Sequence, residues 1–132
     1  MDKKKAHALL IEWQRRLGLQ DWRIDFQWKC RPDEMALDDA VGLTTFTETI
    51  KAALIQILDP QYYEPHSKSF VFDFEEVLVH ELLHLKMCLL VEGNNSLQER
   101  IAHQILEDIA KALVDAKRFK EKEKPDEKSK PE

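Results

Sequence analysis

Residues 77–91 constrain the fold most. They form the longest apolar stretch of the 132-residue chain, broken only by His80, Glu81, His84 and Lys86. Asp73 stands where a helix N-cap is wanted, with Glu76 three residues later, and Gly93 supplies a stop. The pattern predicts a helix over about 73–92, apolar on nearly every side and therefore buried at the centre of the domain. Such a helix cannot carry His80, Glu81 and His84 at its middle without partners, because buried polar groups left unpaired are costly.

The rest of the chain limits what can surround that helix. Its length allows one domain with one modest core. An apolar fraction of 43% argues against full disorder. No run reaches the roughly 20 apolar residues that span a bilayer, so no membrane partner is expected. The basic start, Met1 to His7, is not followed by a continuous apolar segment, so no secretory signal is expected. A net charge of −5, with 3–5 as the only basic run, does not indicate nucleic acid. Cys30 and Cys88 are too few for a disulfide framework or a four-cysteine metal site. A reducing, cytoplasmic setting is expected.

Periodicity places the other elements. Ala6, Leu9, Leu10, Trp13 and Leu17 recur at helical spacing, which predicts a helix over 3–17 ended by Gly18. Trp22, Ile24, Phe26 and Trp28 alternate with charged and polar residues, the mark of a half-buried strand. Two further strands are expected over 41–47 and 51–58, with loops at 31–39 and 61–69. A last helix is expected over 96–119, with Ile101, Ile105, Leu106, Ile109 and Leu113 as its buried stripe. In 120–132 ten of thirteen residues are charged and two are proline, so a disordered tail is expected after a single domain over 1–119. The expected fold is α+β: a small three-stranded twisted sheet packed on the central helix, with N- and C-terminal helices completing the core.

His80 and His84, four residues apart, lie on one helix face, one turn apart. At that spacing both imidazoles reach a single zinc ion. Glu81, beside the first histidine, is placed to take a proton from a water that zinc acidifies. The competing readings are two incidental histidines satisfied by neighbours and no metal at all.

Val77-Leu-Val-His80-Glu81-Leu-Leu-His84-Leu85 resembles the extended signature of the zincin metallopeptidases. Lys86 departs from it, since zincins usually carry an apolar residue there, but that position can face outward. The order of helix, three strands, zinc helix and ligand helix is similar to the small catalytic domains of minimal gluzincins and SprT-like proteins. The resemblance implies a zinc-dependent peptidase with His80 and His84 as ligands and Glu81 as general base. It further implies that an edge strand within 41–58 receives an extended peptide.

A third ligand is expected on the last helix, where Glu99, His103 and Glu107 are the candidates. The short 93–96 connection brings 99–106 back to the level of the histidine pair. Glu99 and His103 fall about 40° apart in helical phase, and Glu107 falls further toward solvent. Glu99-Arg-Ile-Ala-His103 resembles the gluzincin ligand helix, which makes Glu99 the leading third ligand. His103 is the alternative, either as ligand, as in SprT-like enzymes, or as a residue that orients a ligand. Ser96-Leu-Gln-Glu99 also reads as a capping box, in which Glu99 only reaches back to the Ser96 backbone.

Cys88, one turn after His84, reads as core, and Cys30 carries no motif. Tyr62, Tyr63 and His66 are placed to stabilise an oxyanion but read as ordinary loop residues. His7 is expected to be exposed, and Trp13, Trp22 and Trp28 to be core. The expected partner is a peptide or protein substrate. With so little chain beyond the core, a separate protein partner could choose that substrate. The alternative function is a zinc-binding regulatory or interaction module without general proteolysis, linked to phage or DNA processes by analogy alone.

Overall fold

The computed structural model describes residues 1–37, 40–63, 71–88 and 96–123. In chain order these hold α1 (Lys3–Arg16), β1 (Arg23–Cys30), β2 (Gly42–Thr47), β3 (Ala52–Leu58), α2 (Phe74–Met87) and α3 (Ser96–Glu123), with short 3-10 turns at Pro32–Glu34, Glu48–Ile50 and Pro60–Tyr62. The fold is α+β, three helices on a three-stranded mixed sheet. No described helix is long and apolar enough to cross a membrane.

α1 and α2 each start for a local reason. The Asp2 carboxylate accepts from the Lys5 N–H, and that of Asp73 from the Glu76 N–H, so each caps an otherwise unpaired donor. Gly18, at φ +68°, takes the left-handed conformation just past α1. Outside the described residues lie 89–95, with the expected end of the α2 helix, and His66. α3 continues to Glu123, four residues past its expected end, and 124–132 are not described.

The sheet order is β1-β3-β2, so β3 is central and β2 lies at an edge. β1 pairs with β3 in parallel, Phe26 opposite Ile55, and β2 pairs with β3 antiparallel, Thr44 opposite Ile55. Ala53, Ile55 and Ile57 of β3 join Trp22 and Phe26 in a core against the helices. Cys30, Met35 and Leu58 form a second small cluster. Gln56 is buried yet satisfied: its amide donates to Gln27 Oε1 at 2.7 Å and to the Glu34 carbonyl at 2.9 Å. Trp13 and Trp22 are buried and Trp28 half-buried, as expected. His7 is half-buried rather than exposed, with its ring against Phe26.

α2 touches α1, α3, β2 and β3. Leu78, Val79, Leu82, Leu83 and Leu85 are buried round it, which confirms it as the central helix. Lys86 points to solvent, as the sequence allowed.

The expected face of α3 is corrected. Leu106 is buried and Leu113 half-buried on the core, as expected, but Ile101, Ile105 and Ile109 are exposed, and Ala102, Ala110 and Val114 are buried in their place. The cause is an ionic clamp on the inward side of the helix. Arg118 makes a bidentate pair with Asp73 at 2.7 and 3.0 Å. Lys117 reaches Glu75 on α2 and Glu12 on α1, and Glu75 also accepts from the Trp13 indole at 2.7 Å. These charges must meet their partners, so they set the roll of α3, and the alanines let it come close.

The clamp gives a pH dependence. Burial disfavours the Asp73 carboxylate, but the hydrogen bonds from Arg118 and the Glu76 N–H outweigh it and hold its pKa below the usual range. Its stabilisation is complete above the unfolded pKa of about 3.9 and is lost as pH falls through the lower folded value. Asp73→Asn keeps a cap and removes the charge. It should cost about 1–2 kcal/mol at pH 7, between the exposed and buried limits for ion pairs. In urea melts the gap between variant and wild type should close below about pH 4; a gap constant down to pH 2 would show that charge is not the cause.

Candidate metal centre

α2 presents His80 and His84 one turn apart, and the roll of α3 brings His103 against them. The ring centroids lie 5.0 Å (His80–His84), 5.5 Å (His80–His103) and 4.8 Å (His84–His103) apart. One ligand atom from each lies within 4.8 Å of the others, the one group of this kind among the described residues. Glu99 is exposed and lies outside that group, so the third corner is held by His103, the alternative candidate. Glu107 occupies a different place: its Oε2 lies 3.1 Å from His80 Nδ1.

The electrostatics suit a cation. Burial, and then the neighbouring His80 and His103, push the His84 pKa down to about 4, so its ring is neutral near pH 7 with a lone pair to give. Burial and His80 also lower His103, against the pull of Glu99 and Glu107. Burial opposes charge on His80, but Glu107 and Glu81 outweigh it and raise its pKa. Although Glu107 is near, His80 Nδ1 is buried without an aligned hydrogen-bond partner; the carboxylate sits off the ring N–H direction.

The residues fit a metal ion. A tetrahedral ion with nitrogen ligands at 2.0–2.1 Å needs nitrogens about 3.3 Å apart, a small side-chain rotation from this arrangement. Three imidazoles suit zinc, copper, iron or nickel and discriminate against magnesium and calcium, which prefer oxygen.

Beside the histidines lies a cavity of about 230 Å³ lined by Val41, Gly42, Val71, Asp73, Glu76, Val77, His80, Glu81, His103 and Glu107. Glu81 faces it at 5% exposure. Burial raises its pKa, against the opposing effects of His80 and the Thr44 hydroxyl. Thr44 Oγ1 lies 2.8 Å from Glu81 Oε1 and 3.0 Å from the Glu81 carbonyl, so one hydroxyl proton serves two acceptors. Gly42 makes this approach possible. A Cβ there would sit 2.8 Å from both Glu81 Oε2 and Val77 Cγ1.

Sequence reasoning missed Thr44 and Gly42. A threonine in a strand signals only strand propensity, and nothing local reports which helix residue it will meet. Cys88 is half-buried, packs on the core and stands outside the histidine group, as does buried Cys30. Tyr62 is exposed and Tyr63 packs on Phe72; neither lines the cavity.

Compared with protein-family models, curated proteins and solved structures, the chain matches none of them. Any functional reading therefore stands on the site itself.

Proposed function

We propose that this chain is a zinc-dependent metallopeptidase of zincin type, with His80, His84 and His103 as the metal ligands and Glu81 as the general base. One observation carries the reading: a buried, raised-pKa glutamate and three clustered imidazoles border the same part of the fold. A zinc ion held there supplies Lewis-acid activation of water and of a carbonyl. A third histidine in place of glutamate is the arrangement the resemblance associates with SprT-like enzymes.

The chain's own groups have distinct tasks. Glu81 accepts the proton of the attacking water and passes it to the leaving amine; its raised pKa brings it closer to the range a base needs near neutral pH. Thr44 holds that carboxylate in place. Glu107, 3.1 Å from His80 Nδ1, supplies negative charge beside the metal-facing rings and favours a cation there. β2, an edge strand next to α2, offers its backbone to an extended peptide by strand addition.

The test is direct. Zinc-loaded protein, a chelator-stripped control and a zinc-restored sample are incubated with a mixed peptide library and with denatured casein, and new termini are read by mass spectrometry. Zinc-dependent cleavage supports the reading. Stoichiometric zinc with no cleavage favours a binding module instead, and absence of metal uptake removes both.

The strand-to-helix contact gives a smaller prediction. Thr44→Val keeps the shape and loses the donor, so kcat should fall about tenfold with KM and zinc affinity unchanged, while Thr44→Ser should retain most activity. Equal kcat for all three proteins would remove Thr44 from the mechanism.

A further inference from the structure

The cavity beside the histidines extends past the metal centre toward the start of α2. Asp73, then Glu76 and Val77, then His80 and Glu81 line it in successive helical turns, so one wall is a single face of that helix. Val41 and Gly42, where β2 begins, add to the lining, and Val71 stands exposed at its rim. At about 230 Å³ the cavity is smaller than the roughly 300–1,000 Å³ of sites for drug-sized ligands and suits one long side chain.

One polar group in this lining has neither a partner nor a task. Asp73 is held by Arg118, Glu81 by Thr44, and Glu107 lies against His80. The Glu76 carboxylate is half-buried and makes no ion pair or hydrogen bond among the described residues. A first-turn acid suits a helix N-terminus, which accounts for the negative charge but not for its withdrawal from water. Burial, then Asp73 and Asp115, raise its pKa against the weaker pull of Arg118 and Lys111. Of those two cations, Arg118 is already bidentate on Asp73 and Lys111 is exposed. The Asp73–Arg118 pair also shows that this end of α2 accepts a guanidinium on its carboxylates.

We propose that this cavity is the substrate subsite for a lysine or arginine side chain next to the scissile bond, with its aliphatic stem along Val41 and Val77 and its cation on Glu76. The inference rests on the peptidase reading, which sets the substrate backbone at the metal centre. Glu76 stands one turn before His80, about 6 Å along the helix axis. A four-carbon lysine stem covers that rise, buries its methylenes on the valines and carries its charge to the carboxylate. An acidic side chain would meet Asp73, Glu76 and Glu107 and be rejected. An apolar side chain of the same length fills the walls but leaves Glu76 withdrawn from water without a partner, so it is accepted less well. Glu76 is thereby the specificity-determining residue of the site.

The test uses the zinc-loaded full chain and peptides identical except at the two residues flanking one bond. Those positions carry lysine, arginine, glutamate or norleucine, which has the length of lysine without its charge. On one side of the bond, lysine and arginine should exceed norleucine about tenfold in kcat/KM, and glutamate should be the poorest. Glu76→Gln should erase the preference over norleucine, and Glu76→Lys should favour glutamate instead. Calorimetry on zinc-loaded Glu81→Gln protein gives a second readout, in which the lysine peptide should bind about tenfold tighter than the norleucine one. Norleucine cut as well as lysine, or a basic preference that survives Glu76→Gln, overturns this subsite and leaves the peptidase reading standing. If no peptide is cut, the peptidase reading fails, and equal Kd values for lysine and norleucine peptides overturn the subsite as well. The wild-type peptide series decides the question even if the Glu76 variants fold poorly.

Discussion

Glu81→Gln should lower kcat for zinc-dependent peptide hydrolysis by about 10²–10⁴-fold, the range that general acid–base catalysis supplies. Zinc stoichiometry should stay at that of wild type, since Glu81 is not among the clustered ligand atoms. The fold should not suffer. Glutamine is isosteric, and its amide oxygen still accepts from Thr44, which lies 2.8 Å from Glu81 Oε1. Burial disfavours the Glu81 charge, so its pKa is raised, and a neutral amide avoids that cost. The sign follows: a carboxyl with a raised folded pKa loses stability as pH rises, so the variant at pH 7 should melt at or above the wild-type temperature. Steady-state kinetics with zinc analysis and a thermal melt check all three points. Undiminished kcat with zinc bound would remove Glu81 as the base.

The second large effect separates the two candidates for the third ligand. His103→Ala should weaken zinc binding by more than the 10–100-fold typical of a supporting residue, because a bond to the metal is lost. Glu99→Gln should change it by less than about threefold, since exposed charges act on a metal only through screened solvent. Competition against a chromophoric chelator measures both. The reverse ranking would return the third position to Glu99. Chelation should also lower the melting temperature of wild type, because zinc held at 100 times its dissociation constant adds about 2.7 kcal/mol to the folded state.

The elements themselves were legible. Alternation in 22–28 marked β1, and apolar spacing in 3–17 marked α1, because side-chain direction within one strand or helix follows from backbone geometry alone. The face of α3 was legible only in part. The stripe with the greatest aliphatic mass, Ile101, Ile105 and Ile109, turned outward. The buried face keeps Leu106 and, half-buried, Leu113 of the expected stripe, and adds Ala102, Ala110 and Val114, whose small members gave a weaker apolar signal. Lys117 and Arg118 decided between them, through partners more than forty residues away in the chain. The same roll explains why His103 rather than Glu99 meets His80 and His84. The two candidates differ by only about 40° in phase and one turn in height, finer than a loop-length argument resolves.

What the chain determined by itself is therefore confined to single elements. It made α2 a buried helix, placed His80 and His84 one turn apart on one face, and set Glu81 beside them, since the 3.6-residue period allows no other arrangement. Only the tertiary structure decided what meets that face. The approach of β2, permitted by Gly42, delivered Thr44 to Glu81. The ionic clamp on α3 delivered His103 to the histidine pair and left the isoleucine stripe facing outward. Those choices rest on contacts between residues far apart in sequence, where no local period records the partner.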